Sequence, residues 1–118
     1  MKNKPELVLP GAEKAKAADA KFTGYLFNPN NVDGYAKGQA FTSRLGYDKN
    51  NWKDLQKQIL QKAPTYPAKK KGDAGYGEKY EQKIVVYGNK WKPANVIVGW
   101  ISDKKGTRMT SAYVKEVK

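Results

Sequence analysis

The sequence predicts an α+β domain in which short N-terminal helices pack on a C-terminal twisted antiparallel sheet. In the first part of the chain, apolar side chains recur at helical spacing. From about residue 80 the pattern changes to β-branched, alternating runs broken by tight-turn residues. Helices first and strands second is the α+β order, since an α/β sheet would interleave them. At 118 residues without an internal repeat, one domain with a modest core is expected. Residues 1–10 read as a linker and 11–118 as the domain.

Met1 to Pro10 holds two prolines and scattered lysines, with Leu7, Val8 and Leu9 expected to dock at its end. After the Ala- and Lys-rich stretch from Ala12 to Ala20, Asp19 is the expected N-cap of a short helix carrying Phe22, Tyr25 and Leu26, stopped by Asn28-Pro29. A loop from Asn30 to Gly34 leads to a second helix from about Ala36, with Ala40, Phe41, Arg44 and Leu45 at helical spacing and Gly46 as its stop. Asn50 or Asn51 caps a third helix, in which Trp52, Leu55, Ile59 and Leu60 form one face until Pro64 and Pro67. Pro64 to Gly77 reads as a polar loop. Tyr80 to Tyr87, Asn95 to Ser102 and Thr107 to Val117 read as strands, joined by a Gly88-Asn89 turn and an Asp103–Gly106 hairpin loop.

Charge carries the functional signal. The chain has 23 Lys and Arg against 11 Asp and Glu, a formal net charge of +12, and neither His nor Cys. Residues 1–63 carry a net +5 and residues 64–118 a net +7, so the basic character suits a folded surface better than a tail. A small domain with this imbalance repels itself unless a polyanion or an acidic partner neutralises it, and nucleic acid is the expected polyanion. The missing residues exclude an ordinary zinc site, a thiol nucleophile and imidazole acid–base chemistry. No P-loop, dinucleotide fingerprint or EF-hand loop is present, the sparse carboxylates Asp33, Asp48, Asp73 and Asp103 fall in turns where capping is their ordinary work, and neither metal nor cofactor is expected. Apolar runs are too short for a membrane span, and the lysine-rich N-terminus lacks a signal core. The expectation is a soluble chain, monomeric when free, exported only as one end of a longer precursor.

Eight Tyr and three Trp accompany the lysines, a pairing that suits unpaired RNA, whose bases stack on rings while phosphates meet cations. Tyr76 and Lys79, in the loop entering the sheet, are candidates to stack a base and hold a phosphate. Lys69, Lys70 and Lys71 form the only dense basic run. Arg108, one of two arginines, has the fork that binds phosphate bidentately. Ser111 and Tyr113 share a face of the last strand by its period-two alternation. For each of these an ordinary role, as core, cross-strand packing or solvated surface, stands beside the functional one.

The runs Leu9-Pro10-Gly11-Ala12-Glu13-Lys14-Ala15, Lys21 to Pro29, Gly38 to Phe41 and Leu45-Gly46-Tyr47 resemble a family of C-terminal toxin domains of bacterial polymorphic and contact-dependent growth-inhibition proteins. Tyr76 to Tyr80, Gly99-Trp100-Ile101 and Ser111 to Val114 fit the same pattern. Such domains are similar to the barnase, EndoU, colicin and RelE group of ribonucleases. The resemblance implies an endoribonuclease toxin, with transfer RNA one possible target, delivered into the cytoplasm of a neighbouring bacterium and neutralised by a cognate immunity protein expected to be acidic. It nominates Lys21 and Lys37, with Ser111 and Tyr113, as a catalytic set that works without histidine, as RelE-like members do with Lys, Arg and Tyr. A non-catalytic RNA- or DNA-binding module, and a toxin acting on an acidic protein, stay open at this point.

Overall fold

The computed structural model describes residues 8–90 and 92–115. A 3-10 turn at Ala12–Lys14 and a π-helical turn at Phe22–Leu26 precede two α-helices, α1 (Val32–Leu45) and α2 (Trp52–Lys62). Four strands follow, β1 (Ala68–Asp73), β2 (Glu78–Val86), β3 (Ala94–Asp103) and β4 (Gly106–Lys115). They make one antiparallel sheet in the order β1-β2-β3-β4.

Local chemistry explains where the helices begin and end. Asn31 Oδ1 accepts from the Gly34 N–H at 3.0 Å, so α1 starts at Val32 and the stretch expected as a loop before Ala36 is its first turn. Gly46, at φ 83°, ends the helix in the left-handed region, as its position predicts. Asn51 precedes α2 without capping it through its side chain. Instead its Oδ1 accepts from the Asp48 N–H at 2.7 Å and its Nδ2 donates to Gly46 O at 3.0 Å, which ties the loop between the helices. Asp19 likewise gives the following turn only its main-chain oxygen, which accepts from the N–H groups of Phe22 and Thr23, while its carboxylate accepts from Gln56 Nε2 at 2.9 Å.

The expected polar loop from Pro64 to Gly77 is largely strand. Lys69 and Lys70 pair with Glu81 and Tyr80 of β2, and Lys71 sits where the register shifts before Gly72 meets Lys79. Of β1 only Ala68 is buried, so the strand is selected by main-chain pairing with β2, a non-local cause that leaves no apolar alternation. Lysines and a bulge on an edge strand also discourage other chains from pairing there. Lys79, placed in the same loop by sequence, is on β2.

One core joins the two layers. Tyr80, Ile84, Val96, Trp100, Met109 and Val114 face Phe22, Leu26, Phe41, Leu45, Leu55 and Ile59 across it, with α1 against β4 and α2 against β2. Among the described residues Gln82 is the one buried amide in this layer, and both its ends are partnered: its Nε2 donates to the carbonyls of Ala63 and Tyr66 at 2.8 Å each, and its Oε1 accepts from Trp100 Nε1 at 3.1 Å. On β4 a bulge opposite Gly99 and Trp100 inserts Thr110 and resets the alternation. Met109, Ala112 and Val114 therefore all face inward, and Arg108, Ser111 and Tyr113 face away from the helices.

The N-terminal segment closes the fold. Leu9 is buried in the core whereas Val8 is exposed, and Leu7 lies outside the described residues, as does Val117 at the expected end of the last strand. From Leu9 to Lys16 the chain runs as a strap over the start of β4. Thr107 Oγ1 donates to the Pro10 carbonyl, the Lys16 N–H to Thr107 O at 3.0 Å, and the Met109 N–H to Lys16 O at 2.8 Å.

Helix α1 approaches the π-helical turn through Gly34 and Gly38, and a Cβ at Gly38 would overlap the Leu26 carbonyl. Alanine favours a helix interior by about 1 kcal/mol over glycine. Backbone cannot swing away as a side chain can, so Gly38→Ala is expected to cost a net of about 1–3 kcal/mol or more. The urea midpoint checks this. A midpoint at or above wild type would mean that the helix is free to move off the turn.

Candidate functional site

The strap, the start of β4 and the loop before β2 enclose a cleft of about 620 Å³. Lys14 and Lys16 come from the strap, Lys21 from the residue preceding the π-helical turn, Tyr76 from the loop, Lys105 from the β3–β4 turn, and Arg108 and Thr110 from β4. Among the described residues, four lysines and an arginine thus line it, and no carboxylate does. Like charges are drawn together here by main-chain pairing of the strap with β4, which places Lys16 beside Arg108. The result is a concave surface where several cations converge on one small volume, the arrangement that concentrates a polyanion.

Arg108 is the fixed point of this surface. Its Nη2 lies 3.0 Å from Asp103 Oδ2, with the arginine side chain 43% exposed and the aspartate 13%. Asp103 Oδ1 accepts from the Lys105 N–H at 2.8 Å. The Arg108 guanidinium, and after it the Lys105 N–H, holds the Asp103 carboxyl below its ordinary range, and the Asp103 partner raises Arg108. The pair is therefore intact at neutral pH. Tyr76, 69% exposed, shares with Arg108 and Lys105 the wall between this cleft and an adjoining recess of about 560 Å³.

Of the residues nominated from sequence, the cleft gathers Lys21, Tyr76 and Arg108. Lys79 pairs with Ile101 on β2 in the cross-strand row that ends at Arg108. Ser111 and Tyr113 continue along the same outer face of β4, Tyr113 opposite Ile97, four residues of β3 or about 13 Å from that row. Lys69, Lys70 and Lys71 stand on the opposite edge of the sheet, three strands away, where Lys70 pairs with Glu78 at 2.9 Å. Lys37 does not line the cleft. Its Nζ donates to Tyr25 Oη at 2.8 Å, binding α1 to the π-helical turn. Lys14, Lys16 and Lys105 escaped sequence reading, because nothing local marks a strap pairing with a strand more than ninety residues later.

Other recesses lack this convergence. One of about 500 Å³ between α1 and the preceding turn has Phe27, Pro29 and Tyr35 in its wall. Another, of about 580 Å³, lies where Gln58 clamps the end of β2, accepting from the Tyr87 N–H at 2.9 Å and donating to the Tyr87 carbonyl. Beside it burial lowers the Lys62 pKa, and the Lys62 ammonium donates to the Val85 carbonyl and to Gln58 Oε1 at 3.1 Å. Among the described residues no three His, Cys, Asp or Glu side chains gather to hold a metal, and no helix is long and apolar enough to cross a membrane.

A family model described as "Domain of unknown function (DUF6883)" matches residues 8–116. Among solved structures, a chain of a contact-dependent growth inhibition toxin–immunity protein complex from Klebsiella pneumoniae 342 has the same fold, with a TM-score of 0.65 at 21% identity over 86% of this chain and 93% of that one. No curated protein matches.

Proposed function

The chain belongs to the DUF6883 family of domains of unknown function, and from that premise we propose that it is an RNA-cleaving toxin domain of an interbacterial competition system. The observation that carries the proposal is the cleft in which Lys14, Lys16, Lys21, Lys105 and Arg108 converge with an exposed tyrosine and, among the described residues, no lining carboxylate. The shared fold with a chain of a toxin–immunity complex supports the toxin part of the reading. RNA can cleave itself when its 2′-oxygen attacks the adjacent phosphorus. That oxygen passes its proton to solvent water as it bonds to phosphorus, the bond from phosphorus to the 5′-oxygen breaks, and the leaving oxygen takes a proton from the protein, yielding a 2′,3′-cyclic phosphate and a free 5′-hydroxyl. Charge builds on the non-bridging oxygens in the transition state, and cations fixed around that position supply the largest rate term. Lys21 and Arg108 take this role and Lys21 protonates the leaving oxygen. Tyr76 stacks a neighbouring base, and Ser111 and Tyr113 meet the strand as it leaves along β4. An acidic immunity protein covers the cleft in the producing cell, and the domain reaches the target cytoplasm as part of a larger exported protein.

Inducible expression in bacteria, with total RNA run on a gel, tests the reading. Growth arrest with discrete RNA fragments is expected, and the purified domain should cut RNA in EDTA. Intact RNA beside degraded DNA would replace ribonuclease by deoxyribonuclease, and retention of RNA without cutting would leave a binding module.

A further inference from the structure

Asp103 is the carboxylate that touches the basic cleft through Arg108, and both of its oxygens are committed. An aspartate at this point of a β-turn needs only one oxygen to accept the N–H two residues on, and here Lys105 N–H fills that role at 2.8 Å. The second oxygen reaches out of the turn to Arg108 at 3.0 Å. In a cleft built to attract anions a carboxylate lowers affinity, so its presence needs a compensating use. Arginine permits one, because its planar fork can spend one edge on a carboxylate and keep the other for a phosphate. The guanidinium is otherwise free to swing, being 43% exposed.

We propose that Asp103 is a positioning residue that fixes the Arg108 guanidinium in the orientation that meets the reacting phosphate. This rests on the ribonuclease reading above. It makes two expectations of opposite sign. Removing the carboxylate charge from a cationic cleft tightens binding of a polyanion, or leaves it unchanged. Releasing Arg108 slows the chemical step, since a displacement near 1 Å of a charge-stabilising group costs up to about 10²-fold in rate. A role confined to folding the turn moves stability and leaves the two functional quantities together.

The experiment compares wild type, Asp103→Asn, Asp103→Ser, Arg108→Ala and the Asp103→Asn, Arg108→Ala pair, each first matched for unfolding midpoint. Asn and Ser both retain an acceptor for the Lys105 N–H, so the turn persists. Cleavage of a fluorescent RNA oligonucleotide gives kcat and KM, and its uncleavable 2′-deoxy analogue gives affinity. The expected result is a kcat lowered by about 10-fold to 10²-fold in Asp103→Asn and Asp103→Ser, analogue affinity equal to or tighter than wild type, and no further loss when Asp103→Asn is added to Arg108→Ala. Unchanged kcat in both single variants overturns the assignment, and so does a full additional loss in the pair, which would mean that Asp103 acts without Arg108. A wild-type protein that binds the analogue and never cleaves RNA removes the ribonuclease reading itself.

Discussion

Alanine at Arg108 or at Lys21 is expected to lower RNA turnover by about 10²–10³-fold, with affinity for an uncleavable analogue reduced by less than about tenfold. The asymmetry follows from where the charges stand. Five cations share the cleft, so losing one removes a fraction of the ground-state attraction for a polyanion. Charge on the phosphorane oxygens appears only in the transition state and is localised, so the side chain nearest it is not replaced by its neighbours. Lys49→Ala, which removes one equal charge from the exposed loop between α1 and α2, controls for net charge and should cleave within about threefold of wild type. Equal losses in affinity and turnover at Lys21 and Arg108 would make the cleft a binding surface. Tyr113→Phe in the same series asks whether the hydroxyl farther along β4 takes part.

Trp100→Ala is expected to leave the domain close to unfolding. The indole is 1% exposed and fills the middle of the core on β3. Truncating a buried aromatic of this size costs about 3–5 kcal/mol, and stranding the Gln82 Oε1 that accepts its N–H adds about 1–3 kcal/mol. Against a total of about 5–15 kcal/mol for a domain of this kind, little remains. Trp100→Phe separates the contributions, since it keeps most of the packing and removes the donor. It should lose about 1–3 kcal/mol in chemical denaturation followed by circular dichroism. A Trp100→Ala midpoint near that of Trp100→Phe would show that packing around the indole contributes little.

Sequence and structure agree where burial is local. Phe41 with Leu45, and Leu55 with Ile59, announce α1 and α2 because each pair returns to one helix face. The alternation of Ile84 with Val86, and of Val96 with Val98, announces β2 and β3 in the same way. Sequence missed β1, whose lysines face solvent and whose conformation is dictated by a partner strand. The cleft was legible only in part for the same reason. Tyr76 and Arg108 stood out as residue types and Lys21 through the resemblance, but their meeting depends on the pairing of Lys16 with β4, to which no periodicity points. Lys37 matched a motif, yet the fold places it outside the cleft lining, with its ammonium donating to Tyr25.

The strap joins the earliest and latest parts of the described chain, and this gives the cleft a history as well as a shape. During synthesis Lys14, Lys16 and Lys21 leave the ribosome long before Arg108, so a partly made chain has no cleft to offer. The same holds for any passage narrow enough to admit only extended polypeptide. Threading separates the two cationic contributions, and they reunite only when both ends of the fold stand on the same side. Contacts this distant in sequence also form slowly, because a loop of most of the chain must close first. An unfolded or partly made domain therefore carries no assembled cleft, and the interval before the strap closes is the time in which a protease can still cut the open chain.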